Sequence, residues 1–482
     1  MIDLRPVGYI IGLLVAVLGL FMVPPLLVDL AEGRGHWPAF AESAVLTILF
    51  GTLMALACRS GIRDGLTIQH SFILTTGVWV VLPLFGVLPL MLGETDLNFT
   101  DAYFEAMSGV TTTGATVIVG LDDLPAGLLL WRGILQWVGG LGIVIVAMIF
   151  LPVMRVGGMQ FFRSEGFDTL GKVLPRTIDI SRGLFEVYIG LTVVAILTYL
   201  AFGMNALDAT VHALTSMSTG GFSTSDLSFA KFAGPAEYAG VVFMIVASVP
   251  FVRLLQLMRG DPVPIWRDEQ VRTYLLWIAY AVLGVSASVF LIGGQYDAAT
   301  FREIVFNVVS LFSGTGYGSA DVTLWGPLAF VVLFSVGAIG GCTGSTVCSI
   351  KVFRYKVLFS TLGNQVRRIG YPHRVLPLRM SGRAVPDDVV TSISVMFTVY
   401  VLSLGLLSVG LALTGLPFLE SVTGAWTAIF NIGPAFGSLI GPTGAMDGFP
   451  DAAKWLMTFG MLLGRLEIIS VIVLVLPGFW RA

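Results

Sequence analysis

FREIVFNVVSLFSGTGYGSA, Phe301–Ala320, opens as a short apolar helix with Glu303 in its first turn and closes on Gly314, Gly316 and Gly318. An acid at that place suits the free N–H groups and positive end of a helix. The helical part runs for about 12 residues, where crossing a bilayer takes roughly 20. Long apolar runs flank it on both sides, so the segment enters the membrane and turns back. Three more stretches read alike: FTDAYFEAMSGVTTTGAT (Phe99–Thr116), NALDATVHALTSMSTGGFS (Asn205–Ser223) and FLESVTGAWTAIFNIGPAFG (Phe418–Gly437). They align on Gly114, Gly220, Gly316 and Gly433. Asp101, Glu303 and Glu420 then fall thirteen residues earlier, with Asp208 one residue late in the second copy.

The chain around these segments is 56% hydrophobic and 12% charged, with a mean hydropathy of +0.88. Soluble proteins carry roughly a quarter charged residues. Candidate spans fall near 9–30, 42–58, 69–92, 127–154, 183–203, 236–258, 272–294, 326–357, 390–414 and 452–478. Ten spans leave both termini on one side. Basic residues concentrate in the loops at 59–63, 155–182, 253–272 and 351–383, all on that same side. The positive-inside rule makes it the cytoplasm. The first run lacks an A-x-A cleavage site and reads as a retained helix, not a signal peptide. Cys58, Cys342 and Cys348 have no metal-ligand or disulfide spacing, and no two histidines do. No cluster of nucleophile, base and metal ligands lies in the spans, and the loops are too short for a catalytic or nucleotide-binding domain. An enzyme is not expected, nor nucleic-acid binding or an organic cofactor.

The fold class expected is an all-α polytopic membrane protein of four span–loop–span repeats around one pore, plus two extra N-terminal transmembrane helices. The divisions are 1–65 for the N-terminal pair, then 66–180, 181–268, 269–385 and 386–482 for the repeats. Irregular backbone is tolerated at membrane depth only where protein buries it or water reaches it. Four such loops around one axis meet that condition, and their carbonyls can replace a cation's hydration shell. Gly314-Thr315-Gly316-Tyr317-Gly318 differs at two sites from the potassium-channel filter string Thr-Val-Gly-Tyr-Gly.

Thr111-Thr112-Thr113-Gly114-Ala115, Ser218-Thr219-Gly220-Gly221-Phe222, the third string above and Asn431-Ile432-Gly433-Pro434-Ala435-Phe436-Gly437 together resemble the Trk/Ktr/HKT superfamily of potassium transporters, in its TrkH-like branch. The resemblance covers essentially the whole chain. It implies four M1–P-loop–M2 units, a homodimer in the bacterial inner membrane, and K⁺ as the transported ion. The filter carbonyls would come from Thr112, Thr113, Gly114, Ser218, Thr219, Gly220, Gly314, Thr315, Gly316, Asn431, Ile432 and Gly433. Gly114 stands where some relatives carry Ser and favour Na⁺. Only the third loop is close to the channel string, so selectivity weaker than a true K⁺ channel's is expected. The resemblance also implies a separate cytoplasmic TrkA-type (RCK) ring that binds NAD or ATP. The basic loops at 155–182 and 351–383, with Tyr371-Pro372-His373-Arg374, would be its docking surface; ordinary positive-inside charge explains the same residues.

The resemblance also implies an intramembrane gating loop on the cytoplasmic side, and two features fit it. The span from Gly326 to about Leu358 is too long for one crossing, and its middle holds Gly337, Gly340, Gly341 and Gly344. Each interior glycine costs a helix on the order of 1 kcal/mol against Ala. An unwound loop containing Gly340, Gly341, Thr343 and Gly344 is expected, although the same glycines fit a G-x-x-x-G packing face. Arg465 lies about 16 Å past Lys454 at 1.5 Å per residue, deep in the bilayer. It either belongs to a structural ion pair or lines the pore and meets that loop. Arg132 reads as structural, reaching the interface. The function expected is low-affinity, channel-like K⁺ uptake driven by the membrane potential and gated from the cytoplasmic side. The alternative is a secondary transporter coupling K⁺ to H⁺ or Na⁺, for which Glu105, Glu186 and Glu467 are the candidate carboxylates.

Overall fold

The computed structural model describes residues 2–149, 154, 158–159, 177–292, 297–371, 377–440 and 444–481, apart from Arg34, Gly65, Asp96 and Ser381. Of the expected docking loops at 155–182 and 351–383, residues 155–157, 160–176, 372–376 and Ser381 lie outside the described residues. The chain is an all-α polytopic membrane protein. Two ladders of two-residue strands, Ile339–Gly340 with Ile350–Lys351 and Arg379–Met380 with Arg383–Ala384, are the exceptions among the described residues.

Arg5–Leu20 packs along Trp37–Cys58 through facing glycines. A Cβ on Gly12 would stand 2.6 Å from Ala55 N and 2.8 Å from Gly51 O, so the two backbones touch. Small residues permit such approach between membrane helices. The outward faces of the long helices expose Leu46, Leu53, Leu283, Leu406 and Leu413, as lipid contact requires.

The four short helices are Phe99–Val110, Ala206–Met217, Ala298–Phe312 and Phe418–Phe430, and their C-terminal halves are buried. The side chains of Asn98, Asn205 and Asp297 cap the first three by accepting N–H bonds from Asp101, Asp208 and Thr300. The helix opening the second repeat already runs from Thr177, inside the range expected for the first.

Among the described residues, seven helices are long and apolar enough to cross a membrane, or nine if two bent pairs each count as one span. The difference from ten comes from the second long helix of three repeats. In the second repeat, Pro235–Ala247 and Phe251–Met258 meet at 104° across Ser248-Val249-Pro250. Pro250 lacks the N–H and has the ring that end a helix. In the third, Pro327–Gly337 stops, and helix resumes only at Val352. In the fourth, Asp451–Arg465 and Ile469–Val475 meet at 111°, with Glu467 and Ile468 at φ of +58° and +50°. The first repeat's Ala126–Ile149 stays unbroken. The chain at the third and fourth breaks meets the end of the fourth short helix, through Ser349 Oγ to Phe430 O and the close approach of Gly464 to Ile429 O.

Candidate ion-conduction site

Each short helix ends the same way. Thr112, Thr219, Gly314 and Asn431 turn left-handed at φ of 52°, 51°, 65° and 51°. Two residues on, Gly114, Gly221, Gly316 and Gly433 do so again at 83°, 81°, 81° and 103°. The residue between donates its N–H back into the helix: Thr113 to Ser108 O (2.9 Å), Gly220 to Thr215 O (2.8 Å), Thr315 to Ser310 O (2.9 Å) and Ile432 to Thr427 O (3.2 Å). Alternating handedness turns successive carbonyls toward one side of the chain. Left-handed threonine is costly, and such torsions persist where the surroundings fix them.

The turns face one another in chain order. A Cβ on Gly114 would collide with Gly220 O, one on Gly221 with Thr315 O, and one on Gly316 with Ile432 O. One on Gly433 would stand 3.0 Å from Thr113 O, which closes the ring. This packing, together with the positive φ, requires glycine at these positions.

The ring corrects the register of the second copy. Gly221, not Gly220, occupies the place of Gly114, Gly316 and Gly433, so the second loop contributes Thr219, Gly220 and Gly221. Ser218 falls back to the helix C-cap, level with Thr111 and Ser313. Asp208 then stands thirteen residues before its glycine, like Asp101, Glu303 and Glu420. Phe222 comes level with Tyr317. The second loop still differs from the channel string at three sites, so the third remains the nearest of the four. The late acid was the signal for this shift.

Side chains brace the loops from behind. Tyr317 Oη lies 2.5 Å from Thr215 Oγ1 and 3.3 Å from Ser216 Oγ, tying the third loop to the second short helix. Asn431 Nδ2 donates to Thr113 Oγ1 at 2.8 Å and Met461 O at 3.0 Å. Arg132 does not reach an interface: it is 1% exposed, and its Nε lies 2.8 Å from Glu105 Oε1. Its Nη1 donates to Ser223 O at 3.0 Å, and the guanidinium lies 4.1 Å over the Phe222 ring. A charge at that depth needs such a partner. Glu105 also accepts from Thr116 Oγ1 and Val117 N–H, both at 3.0 Å. In the linkers beyond the turns, burial pushes the Asp122 carboxyl up, but hydrogen bonds from Ser225, Lys231 and the Asp226 N–H outweigh it and leave it below the usual carboxylate range.

On the helix side of the ring sits the chain between Gly340 and Ile350, buried throughout. It docks into the corner that Pro250 makes. Cys342 N–H donates to Ser248 O (2.9 Å), Thr346 Oγ1 to Ala247 O (3.1 Å), and Phe251 N–H to Gly344 O (2.9 Å). Gln270 Oε1 accepts from Thr343 N–H at 3.0 Å, and Ser349 Oγ donates to Phe430 O at 3.0 Å. Gly341 faces Ser248, and Gly340 pairs with Lys351 in the short ladder. The loop's upper edge touches the turns: Thr346 Oγ1 is 3.5 Å from Thr219 Oγ1, and Cys348 Sγ is 3.8 Å from Thr112 Oγ1.

Arg465 is 3% exposed and reaches this loop directly. Nη1 donates to Thr346 O at 3.3 Å and contacts Cys348 Sγ; Nη2 donates to Gly139 O at 3.1 Å on the unbroken helix. No carboxylate pairs with it among the described residues. Glu467 instead accepts from Arg354 Nη2, with both oxygens at 2.7 Å. The structure thus brings Gly340, Gly341, Thr343, Gly344 and Arg465 into one cluster. Sequence reasoning missed Gln270, Ser248, Cys348 and Arg354, whose only signal was polarity within apolar runs.

This architecture, four helix–loop–helix repeats with their turns facing in a ring, defines a class of membrane cation-transport proteins. The chain belongs to the TrkH family of cation transport proteins, whose model matches residues 36–478. It is 39% identical to the Trk system potassium uptake protein TrkI of Halomonas elongata, over 99% of this chain and 97% of that one. The Trk system potassium uptake protein TrkH of Escherichia coli K12 is 31% identical over 99% of both chains. The crystal structure of the potassium transporter TrkH from Vibrio parahaemolyticus superposes with a TM-score of 0.91 at 30% identity, covering 100% of both chains.

Proposed function

We propose that the chain is the membrane subunit of a potassium-uptake system, passing K⁺ through the ring of four turns under the membrane potential. The observation that carries this reading is the ring itself, four left-handed turns closed carbonyl to glycine. The filter carbonyls are those of Thr112, Thr113 and Gly114; Thr219, Gly220 and Gly221; Gly314, Thr315 and Gly316; and Asn431, Ile432 and Gly433. A potential of 100 mV is worth about 2.3 kcal/mol per charge, enough to concentrate K⁺ roughly fiftyfold without a coupling ion.

The loop containing Gly340, Gly341, Thr343 and Gly344 is the gate, held by Arg465. The repeats divided at 66–180, 181–268, 269–385 and 386–482 are the pore's units, and 1–65 is an accessory pair. The protein works as a homodimer in the inner membrane, termini in the cytoplasm, with low affinity. A TrkA-type ring supplies any nucleotide control, since this chain has no nucleotide-binding motif. Coupled transport needs a carboxylate free to change charge on the pathway. Glu105 and Glu467 are each committed to a buried arginine, and Glu186 pairs with Arg182 at 3.0 Å in an exposed position.

The test is ⁸⁶Rb⁺ uptake into liposomes holding the purified chain, competed by K⁺ or Na⁺. K⁺ is expected to compete far better than Na⁺. Gly316→Ser forces a side chain against Ile432 O at φ +81°. It should cut the K⁺ preference about tenfold, ~1.4 kcal/mol. Uptake indifferent to ion type in the wild type would make the four turns packing elements.

A further inference from the structure

Gln136 sits on the unbroken Ala126–Ile149 helix, fully buried behind the second turn. Its Nε2 donates to Gly220 O at 2.7 Å, and its Oε1 accepts from Phe222 N–H at 3.0 Å. A backbone N–H only donates and a carbonyl only accepts, so these two partners fix which way the amide points. Gly220 O is one of the four ring carbonyls, with Thr113 O, Thr315 O and Ile432 O. Among the described residues it is the one of the four with a side-chain donor.

We infer that Gln136 is a positioning residue for ion selectivity: its amide pins the Gly220 carbonyl at the ring diameter that suits K⁺. This rests on the four turns being the filter. A carbonyl oxygen has two lone pairs, so the amide occupies one and leaves the other for the ion. A smaller ion such as Na⁺ is held well only if the ring contracts around it. Three carbonyls can follow; the fourth must stretch its bond to Gln136. The penalty falls on Na⁺ and spares K⁺. The bond to Phe222 N–H closes the brace from the other side of Gly221, so the second turn moves as a unit or not at all. Phe222 is further held by Arg132 over its ring.

Two variants isolate the donor. Gln136→Met keeps the length without either hydrogen bond. Gln136→Glu keeps an acceptor for Phe222 N–H and loses the donor to Gly220 O. With ⁸⁶Rb⁺ uptake by the full chain in liposomes, both should let Na⁺ compete about three- to tenfold better while uptake itself persists. Na⁺ competing no better in either variant, in a wild type that prefers K⁺, would overturn the inference and leave the filter reading intact. A wild type with no preference would remove both. For a variant too slow to follow by flux, the rise in Tm in detergent with K⁺ against Na⁺ gives the same comparison. A lower Tm whose K⁺–Na⁺ difference matches wild type would mean that Gln136 only packs the helix, and the inference would fall.

Discussion

Arg465→Ala is expected to raise basal ⁸⁶Rb⁺ uptake tenfold or more, measured in liposomes without any partner protein. Arg465 ties the loop beneath the ring of turns to the unbroken helix of the first repeat, through Thr346 O on one side and Gly139 O on the other. Hydrogen bonds from a charged donor contribute about 1.5–3 kcal/mol each. A tenfold change in an open–closed equilibrium needs only ~1.4 kcal/mol. The substitution also removes a positive charge from beneath the proposed ion path, where a cation a few ångström away would feel a repulsion on the order of 4 kcal/mol at an effective dielectric of 20. Both effects act in the same direction. Arg465→Lys separates them, because an ammonium keeps the charge but cannot span Thr346 O and Gly139 O as the guanidinium fork does. An intermediate rise is expected for Lys. A fall in uptake for Ala, with the protein still folded, would mean that Arg465 holds the pore open or merely upright.

The repeats were legible because chemistry forces them. A short helix that stops at membrane depth needs an acid or cap at its start and glycine at its turn, and both leave marks in residue type. The register of the second turn was not legible in the same way. Gly220 and Gly221 are adjacent, either could be left-handed, and only the neighbouring Thr315 carbonyl decides between them. Pro250 announced a bend, but its purpose is visible only in three dimensions: it frees Ala247 O and Ser248 O to receive the loop. The break after Arg465 left no mark at all. Leu466, Glu467, Ile468 and Ile469 include neither glycine nor proline, and their pattern continues an apolar helix. At that bend Glu467 meets Arg354, 113 residues away in sequence. That Arg132 stays buried and does not reach the interface was hidden for a related reason. Depth along a helix is readable from the sequence, but not that Glu105 and Phe222 wait there to receive a guanidinium.

Glu467→Gln is expected to destabilise the protein by about 3–5 kcal/mol, the usual cost of removing one partner from a buried ion pair. Arg354 is fully buried, and both Glu467 oxygens lie 2.7 Å from its Nη2. The pair does more than hold two helices together. Glu467 and Ile468 are consecutive left-handed residues without glycine, each costing about 1–3 kcal/mol, and such torsions persist only where contacts impose them. Arg354 supplies that contact from the first turn of Val352–Gly370, directly after the loop. Releasing Glu467 lets the break relax toward helix, which would rotate Arg465 away from Thr346 O. Basal uptake should therefore rise along with the loss of stability. Arg354→Met combined with Glu467→Met tells the two consequences apart. Apolar replacement of both members of a buried pair is often neutral or better for stability. The double variant should regain most of the lost Tm while its basal uptake stays high, because nothing then imposes the left-handed break. Uptake that returned to the wild-type level together with Tm would show that the pair only stabilises the bundle, and that Arg465 keeps its grip on the loop without help from Arg354.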